Sequence, residues 1–369
     1  MINLKGAVYV GPNEPLEVRD LTISDQPGRG EVLVKLAASG VCHSDLHVID
    51  GDWDVAPPIV MGHEGAGVVV SVGEGVHDLD VGDHVILSWL PSCGRCEFCA
   101  AGRSSLCTTA VATAYENVAA DGKPRLNSEQ GEVKSYLGVG SFGEYAMVQE
   151  SAAIKIRQDA PLAQASLVGC AVTTGIGAVI NTARVEPGST VLVVGLGGVG
   201  VNVVQGARLA GARQIIVADV HDSKRELAEH FGATEFINSR EVDLVERVME
   251  LTSGRGVDYA FEAIGLTRTI EQCYESICRG GTAVVVGQTP EGSTISIDPF
   301  VMSDSEKRII GSNYGSSRQS IDFPRLLDLY MEGKVDLDSL ITRRISLDEI
   351  NDAFDDMRQG SGLRAVIEY

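Results

Sequence analysis

The spacing of apolar residues changes part of the way along the chain. Residues 1–90 carry short runs broken by Gly, Asp and Pro, as turns between strands should be. Residues 31–36 (Glu-Val-Leu-Val-Lys-Leu) read as a half-buried strand, residues 67–73 as a second, and residues 81–85 as a turn entering a third. From about residue 170 the runs become short and wholly apolar. Residues 191–194 (Val-Leu-Val-Val) read as a strand buried on both faces of a parallel sheet. A glycine-rich turn and an apolar helix follow, then a strand at 215–219 and a helix at 223–230 stopped near Gly232. Runs at 257–263 and 282–287 continue the alternation, which predicts a doubly wound parallel sheet. Residues 314–369 leave that pattern, with a helix at 323–331 and a last strand at 364–369. Residues 108–141, polar and Gly-rich, read as a long surface loop.

Composition narrows the function classes. A chain of 369 residues is too long for one ordinary core, so two domains are expected. The net charge of -21 and scattered basic residues argue against a nucleic-acid partner. No leader pattern opens the chain, and no uninterrupted apolar run approaches the roughly 20 residues that span a bilayer. A cytoplasmic protein with no membrane partner is the expectation, and there eight cysteines point away from disulfides.

Four of the cysteines carry the most specific signal. Cys93, Cys96, Cys99 and Cys107 can close a four-thiolate shell around one zinc ion, leaving no position open for substrate. That makes the site structural; free buried cysteines or an iron–sulfur cluster are the alternatives. Cys42, His63 and Cys170 are each ordinary alone, since cysteines often fill cores and histidines are often satisfied polar residues. Their surroundings point to a second, open metal site: Cys42 is followed by Ser44 and Asp45, His63 by Glu64, and Cys170 sits where the two textures meet. Cys273 and Cys278 read as packing residues on one helix.

The run Gly195, Leu196, Gly197, Gly198, Val199, Gly200 contains G-x-G-x-x-G between an apolar strand and a helix. Gly195 permits the turn, Gly197 lets the backbone approach a pyrophosphate, and Gly200 allows close helix–strand packing. Asp219 ends the next strand, where a carboxylate accepts from ribose hydroxyls and repels a 2′-phosphate. NAD is therefore favoured over NADP; a strand-end turn aspartate is the alternative.

Together, Gly62-His63-Glu64-x2-Gly67-x5-Gly73, the four-cysteine lobe, the glycine-rich turn with Asp219, and Cys42 and Cys170 resemble the zinc-dependent medium-chain alcohol dehydrogenase family. The resemblance covers essentially the whole chain. It implies an α/β protein: a catalytic domain with a partly open, GroES-like β-barrel (1–171 and 314–369) interrupted by a Rossmann coenzyme domain (172–313). It implies two zinc ions per chain, NAD, and a small alcohol or aldehyde as substrate. Cys42, His63 and Cys170 match the catalytic zinc ligands, Glu64 the nearby carboxylate, and Asp45 the group that orients the histidine. Ser44 and His47 match a proton relay. Thr174 and Val199 match positions beside the nicotinamide, Lys224 an adenosine-ribose contact, and His43 and Arg364 pyrophosphate contacts. Trp53 and Trp89 resemble residues lining an apolar substrate channel, which suits primary, aromatic or terpenoid alcohols. Glutathione-dependent formaldehyde dehydrogenases of the family use an arginine just after the zinc lobe, whereas residues 108–122 here hold no basic residue. A thiol-adduct formaldehyde dehydrogenase, a polyol dehydrogenase and a non-catalytic zinc-stabilised NAD sensor are the other readings. The length of 108–141 implies a homodimer.

Overall fold

The computed structural model describes residues 1–119 and 121–369. They form two compact units, Met1–Cys170 with Arg318–Tyr369, and Ala171–Ser317.

In the first unit the strands divide into two sets. Ile2–Tyr9, Glu17–Ile23, Leu126–Ser128, Gly131–Ser135 and Ile59–Val60 close into a five-stranded barrel. Seven more form a sheet in which Glu31–Gly40 lies between Glu64–Val72 and Arg364–Glu368 and also pairs with Tyr145–Gln149. The closed five-stranded set and the larger open sheet together make up the expected GroES-like β domain. Glu31–Gly40 is buried along nearly its whole length, with Lys35 its one exposed residue. Both sides are covered because the helix Leu162–Leu167 packs on it, Leu167 reaching toward Gly40. The last strand pairs Val366 with Gly40 and Ile367 with Ser39, which brings the chain's end beside the start of the helix His43–Ile49.

Region 108–141 is not a plain surface loop. It holds the helix Thr108–Glu116 and two barrel strands, and it buries Tyr136 and Leu137. Its strands have only three and five residues, too short to show an alternating pattern.

The second unit is a six-stranded parallel sheet in the order Glu235–Asn238, Gln214–Asp219, Thr190–Val194, Val257–Glu262, Ile277–Val285, Arg308–Gly311. Thr190–Val194, first of the six in sequence, lies centrally and the chain winds outward from it both ways, the doubly wound arrangement that binds dinucleotides at the reversal point. Thr190–Val194 is wholly buried, as an apolar run between two layers must be. Cys273 lies on the helix Thr267–Ser276, but Cys278 lies on the next strand, so the two do not share a helix. Leu162–Ala183 forms one continuous helical stretch long and apolar enough, by length and composition, to cross a bilayer. Most of it is buried in the protein, where a core helix needs the same composition.

Candidate metal centre and dinucleotide turn

Among the described residues, two groups of side chains converge as metal-ligand sets: Cys93, Cys96, Cys99 and Cys107, and Cys42, His63, Glu64 and Cys170. Within each, the donor atoms lie within 4.8 Å of one another.

The first group builds itself from neighbouring residues. Backbone N–H groups donate to the sulfurs: Cys96 N to Cys93 Sγ at 3.3 Å, Cys99 N to Cys96 Sγ at 3.5 Å, and Ala110 N to Cys107 Sγ at 3.4 Å. Such bonds favour thiolate over thiol. The backbone donor at Arg95 and the Thr109 hydroxyl hold Cys93 down at about 5, while burial pushes Cys99 up to about 12. Four sulfurs around one point are a closed shell, the donor set of a structural zinc.

The second group is assembled from distant segments. Cys42 precedes the helix His43–Ile49, and its N–H donates to Asp45 Oδ2 at 3.2 Å. Asp45, fully buried, also accepts from Gly62 N and pairs with His63 Nδ1, both at 3.2 Å. One carboxylate thus ties the helix start to the turn at Gly62 and fixes the imidazole, leaving His63 Nε2 for a metal. Gly62 has φ +88, and a Cβ there would run into Phe142. Glu64 opens its strand, and Cys170 sits in a π-helical turn, Val168–Val172, a local widening common at functional sites. The Tyr136 ring stands edge-on to His63 with centroids 5.8 Å apart, so region 108–141 walls this centre.

The electrostatics call for a cation. A hydrogen bond from Cys170, then the charge of His63, hold the Cys42 thiol well below its usual range. The same bond, with burial, pushes Cys170 well up. At His63 burial opposes the imidazolium, but Asp45 and Cys42 outweigh it and raise its pKa. Burial pushes Glu64 up to about 7 against the pull of Arg364. Glu64 Oε1 and Arg364 Nε are buried without a hydrogen-bond partner among the described residues, although Glu64 and Arg364 are paired through their other atoms. Two thiols, an imidazole and a partly unsatisfied carboxylate around one point fit zinc.

Ser44 and His47 lie half-buried on the helix that starts at Cys42, and His43 is exposed there. Trp53 and Trp89 are half-buried against one apolar cluster that includes Tyr136 and Phe142. Arg364 is buried in the first unit with its guanidinium on Glu64, which places its charge at the metal centre. Sequence alone did not reveal this pairing, because the partners stand 300 residues apart.

In the second unit Gly195 has φ +94, and a Cβ on Gly200 would lie 1.8 Å from the Gly195 carbonyl oxygen. A Cβ on Gly197 meets nothing within 4 Å, leaving open space at the N-terminus of the helix Gly198–Leu209, where an anion is favoured. Gly175 packs against the carbonyl of Val199, which brings Thr174 near that helix start. Asp219 is buried, accepting from Leu196 N at 2.9 Å and pairing with Lys224 and His221, each at 3.1 Å. His221 escaped sequence reading, although it stands two residues after Asp219.

A doubly wound dinucleotide unit, joined to a unit holding one closed and one open zinc-type site, defines a zinc-dependent dehydrogenase linked to a nicotinamide cofactor. Residues 28–158 match the alcohol dehydrogenase GroES-like domain, and residues 198–332 match the zinc-binding dehydrogenase domain. S-(hydroxymethyl)glutathione dehydrogenase of Paracoccus denitrificans is 40% identical over 374 residues, covering 99% of each chain. The crystal structure of an alcohol dehydrogenase zinc-binding domain protein from Burkholderia ambifaria superposes with a TM-score of 0.95 at 37% identity, covering 100% of this chain and 99% of that one. Benzyl alcohol dehydrogenase from Acinetobacter calcoaceticus gives the same TM-score at 34% identity, with the same coverage. The chain belongs to the zinc-dependent medium-chain alcohol dehydrogenase family, and is an NAD-dependent oxidoreductase acting on CH–OH donors.

Proposed function

We propose that the chain oxidises a hydroxymethyl group carried on the sulfur of a small thiol, the adduct formed with formaldehyde, using NAD as hydride acceptor. The observation that carries this reading is the 40% identity, end to end, with a relative named for that reaction. The helix Thr108–Glu116, just beyond the zinc lobe, bears no cation, which favours a thiol carrier other than glutathione. A second reading, an aromatic primary alcohol, is supported by the likeness to benzyl alcohol dehydrogenase and by Trp53 and Trp89. The intact buried ligand set argues against a non-catalytic NAD sensor.

In this reading Cys42, His63 and Cys170 hold the open-site zinc, with Glu64 and its partner Arg364 beside it. When bound, zinc supplies Lewis acidity that makes an alcohol proton easier to remove, and NAD supplies the hydride acceptor. Asp45 keeps His63 in its metal-binding orientation. Ser44 and His47 carry the alcohol proton away, and the glycine turn, Asp219 and Lys224 seat the cofactor. Cys93, Cys96, Cys99 and Cys107 hold the second zinc in a purely structural role. A homodimer in the cytoplasm is the proposed working form, and light scattering would establish the subunit count.

The test is NADH formation with formaldehyde premixed with glutathione, cysteine or 2-mercaptoethanol, against benzyl alcohol, hexanol and sorbitol. The expected result is a kcat/KM for a formaldehyde–thiol adduct at least about tenfold above that for benzyl alcohol. Thiol-independent turnover with benzyl alcohol preferred would move the aromatic reading ahead; sorbitol preferred over all would sink both.

A further inference from the structure

We infer that Asp52 is a positioning residue that makes Nε2 of His47 the proton-accepting nitrogen, an inference that rests on the reading of Ser44 and His47 as the proton path.

The placement follows from how one short helix ends. His43–Ile49 is capped at Asp50, and Gly51 then takes φ +80, the left-handed conformation that reverses the chain. Gly51 N donates to Val48 O at 3.2 Å and Asp52 N to His47 O at 2.8 Å, the paired bonds of a Schellman cap. The cap returns Asp52 over the last turn, where its Oδ2 lies 2.7 Å from His47 Nδ1. Trp53 follows and lays its ring near the His47 imidazole, with centroids 4.8 Å apart and planes 30° from parallel. The imidazole is thus held on its edge by a carboxylate and on its face by an indole.

The chemistry follows from donor and acceptor inventory. An ionised carboxylate only accepts hydrogen bonds, so Nδ1 must carry a hydrogen and the neutral ring presents its lone pair at Nε2. A proton arriving by way of Ser44 bonds to Nε2, giving an imidazolium whose charge Asp52 stabilises. It then leaves Nε2 for water, since His47 is 20% exposed, and Nδ1–H stays on Asp52 throughout. Asp52 is not a member of the buried metal-ligand group and acts through His47. The titratable groups facing His47 are Asp52 and, on its own helix, His43, whose ring centroid is 5.0 Å away. Asp50, at the helix end, is held by Arg358 from the return segment.

The test is the pH profile of kcat for wild type, Asp52→Asn and His47→Gln in the zinc-loaded enzyme. The substrate is benzyl alcohol or the formaldehyde–glutathione adduct, whichever is turned over faster. Asp52→Asn keeps the shape and removes the charge. We expect plateau kcat to fall roughly tenfold, KM to stay within about twofold, and the acid limb to move to lower pH, because an imidazolium without its carboxylate loses its proton more readily. Asp52→Ala, melting as wild type does, should move the limb in the same direction. Wild-type kcat and limb in Asp52→Asn, or a fall in kcat with the limb unmoved, would overturn the inference. If His47→Gln is impaired while both Asp52 variants behave as wild type, the inference fails alone. A His47→Gln enzyme that behaves as wild type removes the proton-path reading and this inference with it.

Discussion

The two metal-ligand sets of the first unit are made from similar donors in opposite ways. Cys93, Cys96, Cys99 and Cys107 lie within one short segment, three of them half-buried, and the backbone of that segment supplies the hydrogen bonds to sulfur. Cys42, His63, Glu64 and Cys170 come from a helix start, a turn, a strand and a π-helical turn, and all four are buried. Four local sulfurs can fill a zinc shell unaided, and a filled shell leaves no room for chemistry. The dispersed set exists only once the unit has folded around it. Its partly unsatisfied carboxylate and mutually perturbed thiols are the cost of keeping a position available to substrate.

The largest expected effect tests whether the two sites are separate. Cys170→Ala should lower zinc from two per chain to about one and cut NADH formation by roughly 10³-fold or more, as read by elemental analysis and absorbance. Loss of both ions would mean that the lobe depends on the buried site, and the contrast would collapse. A smaller effect concerns reactivity. In metal-stripped protein at pH 7, Cys93, held near 5, should be alkylated about tenfold or more faster than Cys170, which is pushed up and buried. Its rate should stay flat from about pH 6 to 8, where an ordinary thiol's rises about tenfold per unit; peptide mass spectrometry would show either pattern. The smallest effect is expected in Cys96→Ser. It should lose the other zinc and melt several degrees lower, yet keep kcat within roughly threefold, since that lobe performs no chemistry. A loss of activity as deep as that of Cys170→Ala would break the division between a closed and an open site.

The two centres also differ in how far they could be read before the fold was known. The lobe was legible because its ligands and the bonds that hold them lie within one segment. The strand, glycine turn and helix around Gly195 were legible for the same reason: an apolar run, a φ only glycine tolerates and a helix start are local properties. Region 108–141 was misread because two short barrel strands carry almost no periodic signal, and their pairing partners lie elsewhere in the chain. The Asp52–His47 contact carries no local sequence signal because it comes from a helix cap, although Gly51 just before it marks where such a cap ends.

The sequence by itself determined the α/β organisation, the four-sulfur lobe, the dinucleotide turn and the family, because each rests on residues that are neighbours or on several motifs in order. Only the tertiary structure decided that Glu64 and Arg364 share the buried metal centre, that Tyr136 walls it, and that Asp52 grips His47. The first two join distant residues through sheet pairing and packing, and the third through a reversal whose direction depends on one backbone angle. Hydrophobic patterning records which face of an element is covered, but it does not record by what.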